Sequence, residues 1–142
     1  MSRKEIREKI FQLLFRVEFT PPEGMAEQTD LFFADEDNHV GLEEREYIVN
    51  KLARIMSGMD RVDRMLDERS SGWDRSRMGK VDLAVLRLAV YEICFDPEIP
   101  VGVAINEAVE LAKKFGQDNS SAFVNGVLSK FADEKKEDYA EV

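Results

Sequence analysis

The stretch from Val81 to Phe95 constrains the fold most. Val81, Leu83, Val85, Leu86, Leu88, Ala89, Val90 and Ile93 make it apolar on nearly all sides. A helix without a polar stripe has no face to give to water, so it must sit in the middle of its domain with other helices around it. The rest of the chain supplies those helices. Ile6, Ile10, Leu13, Leu14 and Val17 recur at helical period, and Phe11, Phe15 and Phe19 extend the same face. Ser2 is positioned to cap this first helix, with Glu5 three residues on as in a capping box. Thr20-Pro21-Pro22 ends it, because neither proline can continue a helix.

Further boundaries follow from the same rules. Met25 to Phe33 predicts a short helix whose Leu31, Phe32 and Phe33 need a core, and Ala34 to Gly41 reads as an acidic loop. Leu42 to Met56 predicts a third helix with Tyr47, Ile48, Leu52, Ile55 and Met56 inward, broken at Ser57-Gly58. Asp60 is positioned to cap a fourth helix carrying Val62, Met65 and Leu66. Pro97 stops the apolar helix and Pro100 starts the next, which runs from about Val101 to Phe115 with Gly116 as its C′ residue. A last helix is expected from about Asn119 to Asp133. The sequence shows no period-2 alternation, glycine-rich phosphate loop or internal repeat. The prediction is an all-α, compact bundle of about seven helices. The break at Ser70-Ser71-Gly72 divides it into two lobes, about 1–70 and 73–135, followed by a frayed acidic tail to 142.

With 142 residues, 44% apolar and 35% charged, the chain can bury a core and is not of disordered composition. The net charge of −9 argues against indiscriminate binding to phosphate backbones. That charge is polarised, however. Glu23 to Glu46 holds nine acidic residues against Arg45, whereas Met1 to Arg16 holds five basic residues against Glu5 and Glu8. No apolar run reaches the length of a membrane span, and the N-terminal MSRKEIREKIFQLLF lacks the core of a signal peptide, so a cytoplasmic location is expected.

Residues that could carry chemistry are few. His39, the single histidine, lies beside Asp35, Glu36 and Asp37 in a loop without the spacing of a metal site. Cys94, the single cysteine, lies in the most apolar helix with no histidine near it in sequence, which suits a buried structural thiol better than a nucleophile. Arg87 and Glu92 are charges within that same helix. Arg87 is expected to pair with Glu92, Glu107 or Glu110, since a buried charge requires a partner, the alternative being a hot spot for a binding partner. No enzyme, metal or cofactor is predicted.

Three segments remain. In the first, Arg3 and Arg7 are four apart and share a face with Lys4 beside them, giving a short basic stripe suited to phosphate contacts, or else an ordinary solvated face with Glu5 and Glu8 as local partners. The second contains LRLAVYE (86–92). The third contains INEAVELAKKFG (105–116), followed by FVNGVL (123–128). In their order and separations these runs resemble the NusB family of bacterial transcription antitermination factors, and RKEIREKIFQLLF is similar to that family's basic first helix. The resemblance covers essentially the whole chain, which is too short to include the ribosomal RNA methyltransferase to which the same helical domain is elsewhere fused.

The resemblance implies two small helical lobes. It also implies binding of boxA, a short single-stranded element of nascent ribosomal RNA transcripts, jointly with the ribosomal protein NusE. RNA polymerase and other Nus factors would be indirect partners. Carried over by position, Arg3, Lys4, Arg7, Gln12, Asn119 and Phe123 would contact RNA, while Asp82 and Glu92 would face NusE; for Phe123 the alternative is core packing with Val127 and Phe131. A homodimer burying the first helix is a further possibility for a chain of this kind, as is a protein-only adaptor that binds NusE without touching RNA.

Overall fold

A computed structural model describes residues 1–70, 72 and 74–137. Among these, seven α-helices and no strands are found. The chain forms two compact units, 1–57 and 58–142.

The first unit holds α1 (Arg3–Val17), α2 (Met25–Ala34) and α3 (Leu42–Ser57). Helix α1 packs against both others. Ser2 caps α1 as expected, its Oγ accepting the Glu5 N–H at 3.1 Å. Ile10, Leu13, Leu14, Phe32, Ile48 and Ile55 form the core, each 2% exposed or less. Phe19, Leu31 and Tyr47 were expected inward but remain on the surface, at 61%, 55% and 41% exposed. Phe19 lies beyond the end of α1 and meets Phe15 edge-on at 5.1 Å. Part of the acidic stretch is tied down locally. Arg45 pairs with Asp30 at 2.9 Å and lies 4.8 Å from the Phe33 ring centroid.

The second unit holds α4 (Met59–Arg69), α5 (Lys80–Phe95), α6 (Val101–Phe115) and α7 (Ser120–Leu128). Helix α5 is the central element, packed against α4, α6 and α7, and every residue from Leu83 to Phe95 is buried. Gly58, rather than Asp60, is the N-cap of α4, and Asp60 sits in its first turn. The division at Ser57/Gly58 groups α4 with the helices after it, although the sequence break at 70–72 had suggested otherwise. Helix α4 packs on α5 and carries the carboxylate of a buried ion pair with it. Asp63 accepts from Arg87 Nε and Nη2, both at 2.9 Å, with each side chain 10% exposed. Arg87 therefore has its buried partner, but on α4, outside the carboxylates expected from α5 and α6.

Helix α7 ends earlier than its apolar period implied, and the last turn tightens to a 3₁₀ turn at Ser129–Phe131 that places Phe131 fully in the core. Residues 134–137 are pinned rather than frayed. Lys136 Nζ donates to the carbonyls of Glu92 (2.7 Å) and Ile93 (3.0 Å), and the Glu137 N–H donates to Cys94 O at 2.7 Å. These are the unsatisfied carbonyls at the end of α5, which a cation is well suited to cap. Glu134 pairs with Arg69, and Glu137 pairs with Arg61 at 2.8 Å. The rest of the expected tail, 138–142, and positions 71 and 73 lie outside the described residues.

Candidate nucleic-acid interface

Where the start of α5 lies beside the end of α6 and the start of α7, the second unit has an open groove of about 660 Å³. One wall is the Arg77–Asp82 segment, and the other runs from Phe115 through Gln117 and Asn119 to Phe123. The turn from α6 to α7 is tight. A side chain at Gly116 would meet Ser120 Oγ at 2.5 Å and the Ala112 carbonyl at 2.7 Å, so glycine is required by space. Ser120 Oγ in turn accepts the Gln117 N–H at 2.9 Å.

Three of the residues singled out from the sequence meet here. Asn119 is exposed at the N-cap of α7, and its side chain makes no capping bond to the helix. Phe123 is half-buried one turn into α7 and lines the groove, whereas Val127 and Phe131 on the following turns are core. A ring in that position can pack below on protein and above on a planar ligand. Asp82, in the first turn of α5, lines the opposite wall, and its Oδ1 is buried without a hydrogen-bond partner. The residues assigned separately to RNA and to a protein partner thus line one groove.

Two basic residues that the sequence reading passed over complete it. Arg77 and Lys80 are exposed on the rim, on either side of Met78-Gly79. The signal was present as Arg75, Arg77 and Lys80 in quick succession before an apolar helix. Basic rim, amide groups and aromatic rings together suit a nucleic-acid segment.

On α1, Arg3 and Lys4 are exposed and Gln12 is half-buried. Arg7 is only 7% exposed, which corrects the expected Arg3–Arg7 surface stripe. Arg7, Ile10, Phe11 and Leu14 follow the i, i+3, i+4, i+7 pattern, so Arg7 belongs to the buried face of the helix. Glu92 is 1% exposed, inside the central helix, and offers no surface to a partner.

Burial pushes the Cys94 thiol up to about 12, far from the range of a nucleophile. His39 is exposed, and no group of three or more His, Cys, Asp or Glu among the described residues could hold a metal ion. No helix among the described residues is long and apolar enough to cross a membrane.

An all-helical domain with a basic and aromatic groove at its helix ends is a binding module in character. Comparison with known proteins specifies which: residues 4–133 match the NusB family, and the chain belongs to that family. It is 55% identical to the transcription antitermination protein NusB of Agathobacter rectalis, over 93% of this chain and all of that one. Among solved structures, T. maritima NusB superposes with a TM-score of 0.81 at 31% identity, covering 100% of this chain and 99% of the other. A solved complex of the antitermination factors NusB and NusE with double-stranded RNA gives 0.76 at 25% identity, covering 92% and 95%.

Proposed function

We propose that this protein is a cytoplasmic RNA-binding adaptor of transcription antitermination, which holds boxA-type RNA jointly with NusE and works by assembly rather than catalysis. The observation that carries the reading is the groove, where Phe123 and Asn119 from the FVNGVL region face a rim bearing Arg77 and Lys80. Phe123 stacks a base, Arg77 and Lys80 neutralise phosphates, and Arg3 and Lys4 supply further phosphate contacts from the first unit. Asp82, on the opposite wall, is the groove residue that faces NusE. The net charge of −9 keeps intrinsic affinity for RNA low. Binding RNA and NusE together then raises the effective concentration of each for the other.

The test is a titration of fluorescent single-stranded boxA RNA, its scrambled version and a duplex, with and without NusE, at two salt concentrations. The expected result is tighter, salt-sensitive binding of boxA when NusE is present. Phe123→Ala should weaken it by about 1–3 kcal/mol, as loss of one stacked base does. The double variant Arg3→Ala/Lys4→Ala should flatten the salt dependence. A protein-only adaptor, the reading that the overall charge favours, would bind NusE in the same experiment while no RNA bound under any condition.

A further inference from the structure

The basic rim of the groove begins at the last residue of a short 3₁₀ turn, Arg75–Arg77, in the connection between α4 and α5. That connection contains Gly72 at φ +83° and Gly79, so its backbone is intrinsically permissive. Residues 74–78 of it are nevertheless held in place. Asp74 accepts the Ser76 N–H at 3.0 Å, Met78 is 5% exposed and serves as an apolar anchor, and Arg75 is gripped by two carboxylates of α4. Arg75 Nε and Nη2 donate to the two oxygens of Asp67 at 2.7 and 3.2 Å, and its Nη1 donates to Asp63 Oδ2 at 2.9 Å. Asp63 is itself fixed from the other side by Arg87 of the buried helix α5. Asp63 thus takes the fork of Arg87 and a single bond from Arg75, whose own fork is on Asp67, a geometry that sets direction as well as distance.

Arg75 does not line the groove, and the carboxylates that hold it, Asp67 and Asp63, are on α4; Arg77 and Lys80, two and five residues later, do line it. We propose that Arg75, clamped by Asp67 and Asp63, is a positioning residue for the RNA groove: it holds the turn before α5 so that Arg77 and Lys80 stand ready at the rim. This rests on the reading of the groove as the RNA interface. Without the clamp the rim side chains would have to be ordered on binding, which is a cost to affinity and not a loss of charge contacts.

The experiment measures RNA affinity and its salt slope, with NusE present, for Asp67→Asn, Arg75→Gln, their double variant, and the groove variants Lys80→Ala and Phe123→Ala. Asp67 is half-exposed, so Asp67→Asn leaves the buried Arg87–Asp63 pair in place and the unfolding midpoint is expected to stay near wild type. The clamp variants should each weaken RNA binding roughly three- to tenfold, the range that ordering one or two side chains represents. The double variant should be no worse than Arg75→Gln, and the salt slope should be unchanged. Lys80→Ala, by contrast, should lower the slope by about one.

If Lys80→Ala and Phe123→Ala weaken binding while the clamp variants bind like wild type, the positioning role is overturned and the groove stands. A salt slope that falls in Arg75→Gln would make Arg75 a phosphate contact and equally overturn it. If no groove variant has any effect, it is the RNA reading of the groove that fails.

Discussion

Replacing Asp63 with asparagine should damage this fold more than replacing either arginine that it holds. Asp63 accepts two hydrogen bonds from Arg87 and one from Arg75, all at 2.9 Å, with its own side chain only 10% exposed. Breaking an ion pair this deeply buried costs about 3–5 kcal/mol, most of it for the charge left behind. Asparagine keeps the shape and one acceptor oxygen, and Arg75 retains Asp67, so the lower end, about 3 kcal/mol, is expected. Arg87→Met should be milder. Its long apolar side chain replaces the arginine stem, and Asp63 keeps the Arg75 guanidinium at 2.9 Å, which leaves about 1–2 kcal/mol. In a unit the size of residues 58–142, about 3 kcal/mol lowers the melting temperature by at least ~12 °C. Urea and thermal unfolding followed by circular dichroism at neutral pH would measure both variants. Should Arg87→Met prove as damaging as Asp63→Asn, Asp63 would not be the shared centre of the network. A loss below about 1 kcal/mol for Asp63→Asn would show that the pair contributes no more than a surface salt bridge does.

Two further effects concern the end of α5. Lys136→Met removes the ammonium that caps the Glu92 and Ile93 carbonyls and should lower stability by about 1 kcal/mol. It should also speed labelling of Cys94 by a thiol reagent, because the adjoining Glu137 N–H bond to Cys94 O loses its support; an unchanged labelling rate would show that residues 134–137 hold without Lys136. Separately, burial raises the Cys94 thiol from its ordinary 9.0 to about 12. Between those values the unfolded chain releases the proton and the folded chain keeps it, so stability falls as pH rises above 9, by about 1.4 kcal/mol per pH unit for this group. Urea midpoints at about pH 8 and pH 10 should therefore diverge more in wild type than in Cys94→Ala, and equal pH dependence in the two would contradict the shift.

Much of this fold was legible because helical period and capping are local. The Pro100 start and Gly116 end of α6 could be read from the chain, and α6 does run over Val101–Phe115. The same period misled at the end of α7, since apolar spacing cannot distinguish an α-turn from the 3₁₀ turn that buries Phe131. It misled in another way at Arg7. Counting four residues from Arg3 placed Arg7 on a basic stripe, while counting three, four and seven onward to Ile10, Phe11 and Leu14 places it on the buried face. Both counts are available in the sequence, and only packing decides between them. The Asp63–Arg87 pair was half-legible: a charge inside an apolar helix announces that a partner exists, but not that it lies on α4.

The groove shows the same division between local and non-local information. Phe123 could be named from the motif that contains it, Asn119 from its place at the start of the last helix, and Asp82 from its place at the head of the apolar helix. That they share one cavity with Arg77 and Lys80 depends on how α5, α6 and α7 meet. Net charge was a poor guide for the same reason. A total of −9 says that long-range attraction to RNA is weak, yet it says nothing about the sign at a particular rim. Nine acidic residues from Glu23 to Glu46 lie outside the groove, which holds two cations and one carboxylate. On the reading proposed here, that combination suits an adaptor that should not retain RNA indiscriminately. The local cations provide for contact once the RNA is in place, and the overall charge leaves the decision to bind with NusE and the RNA sequence.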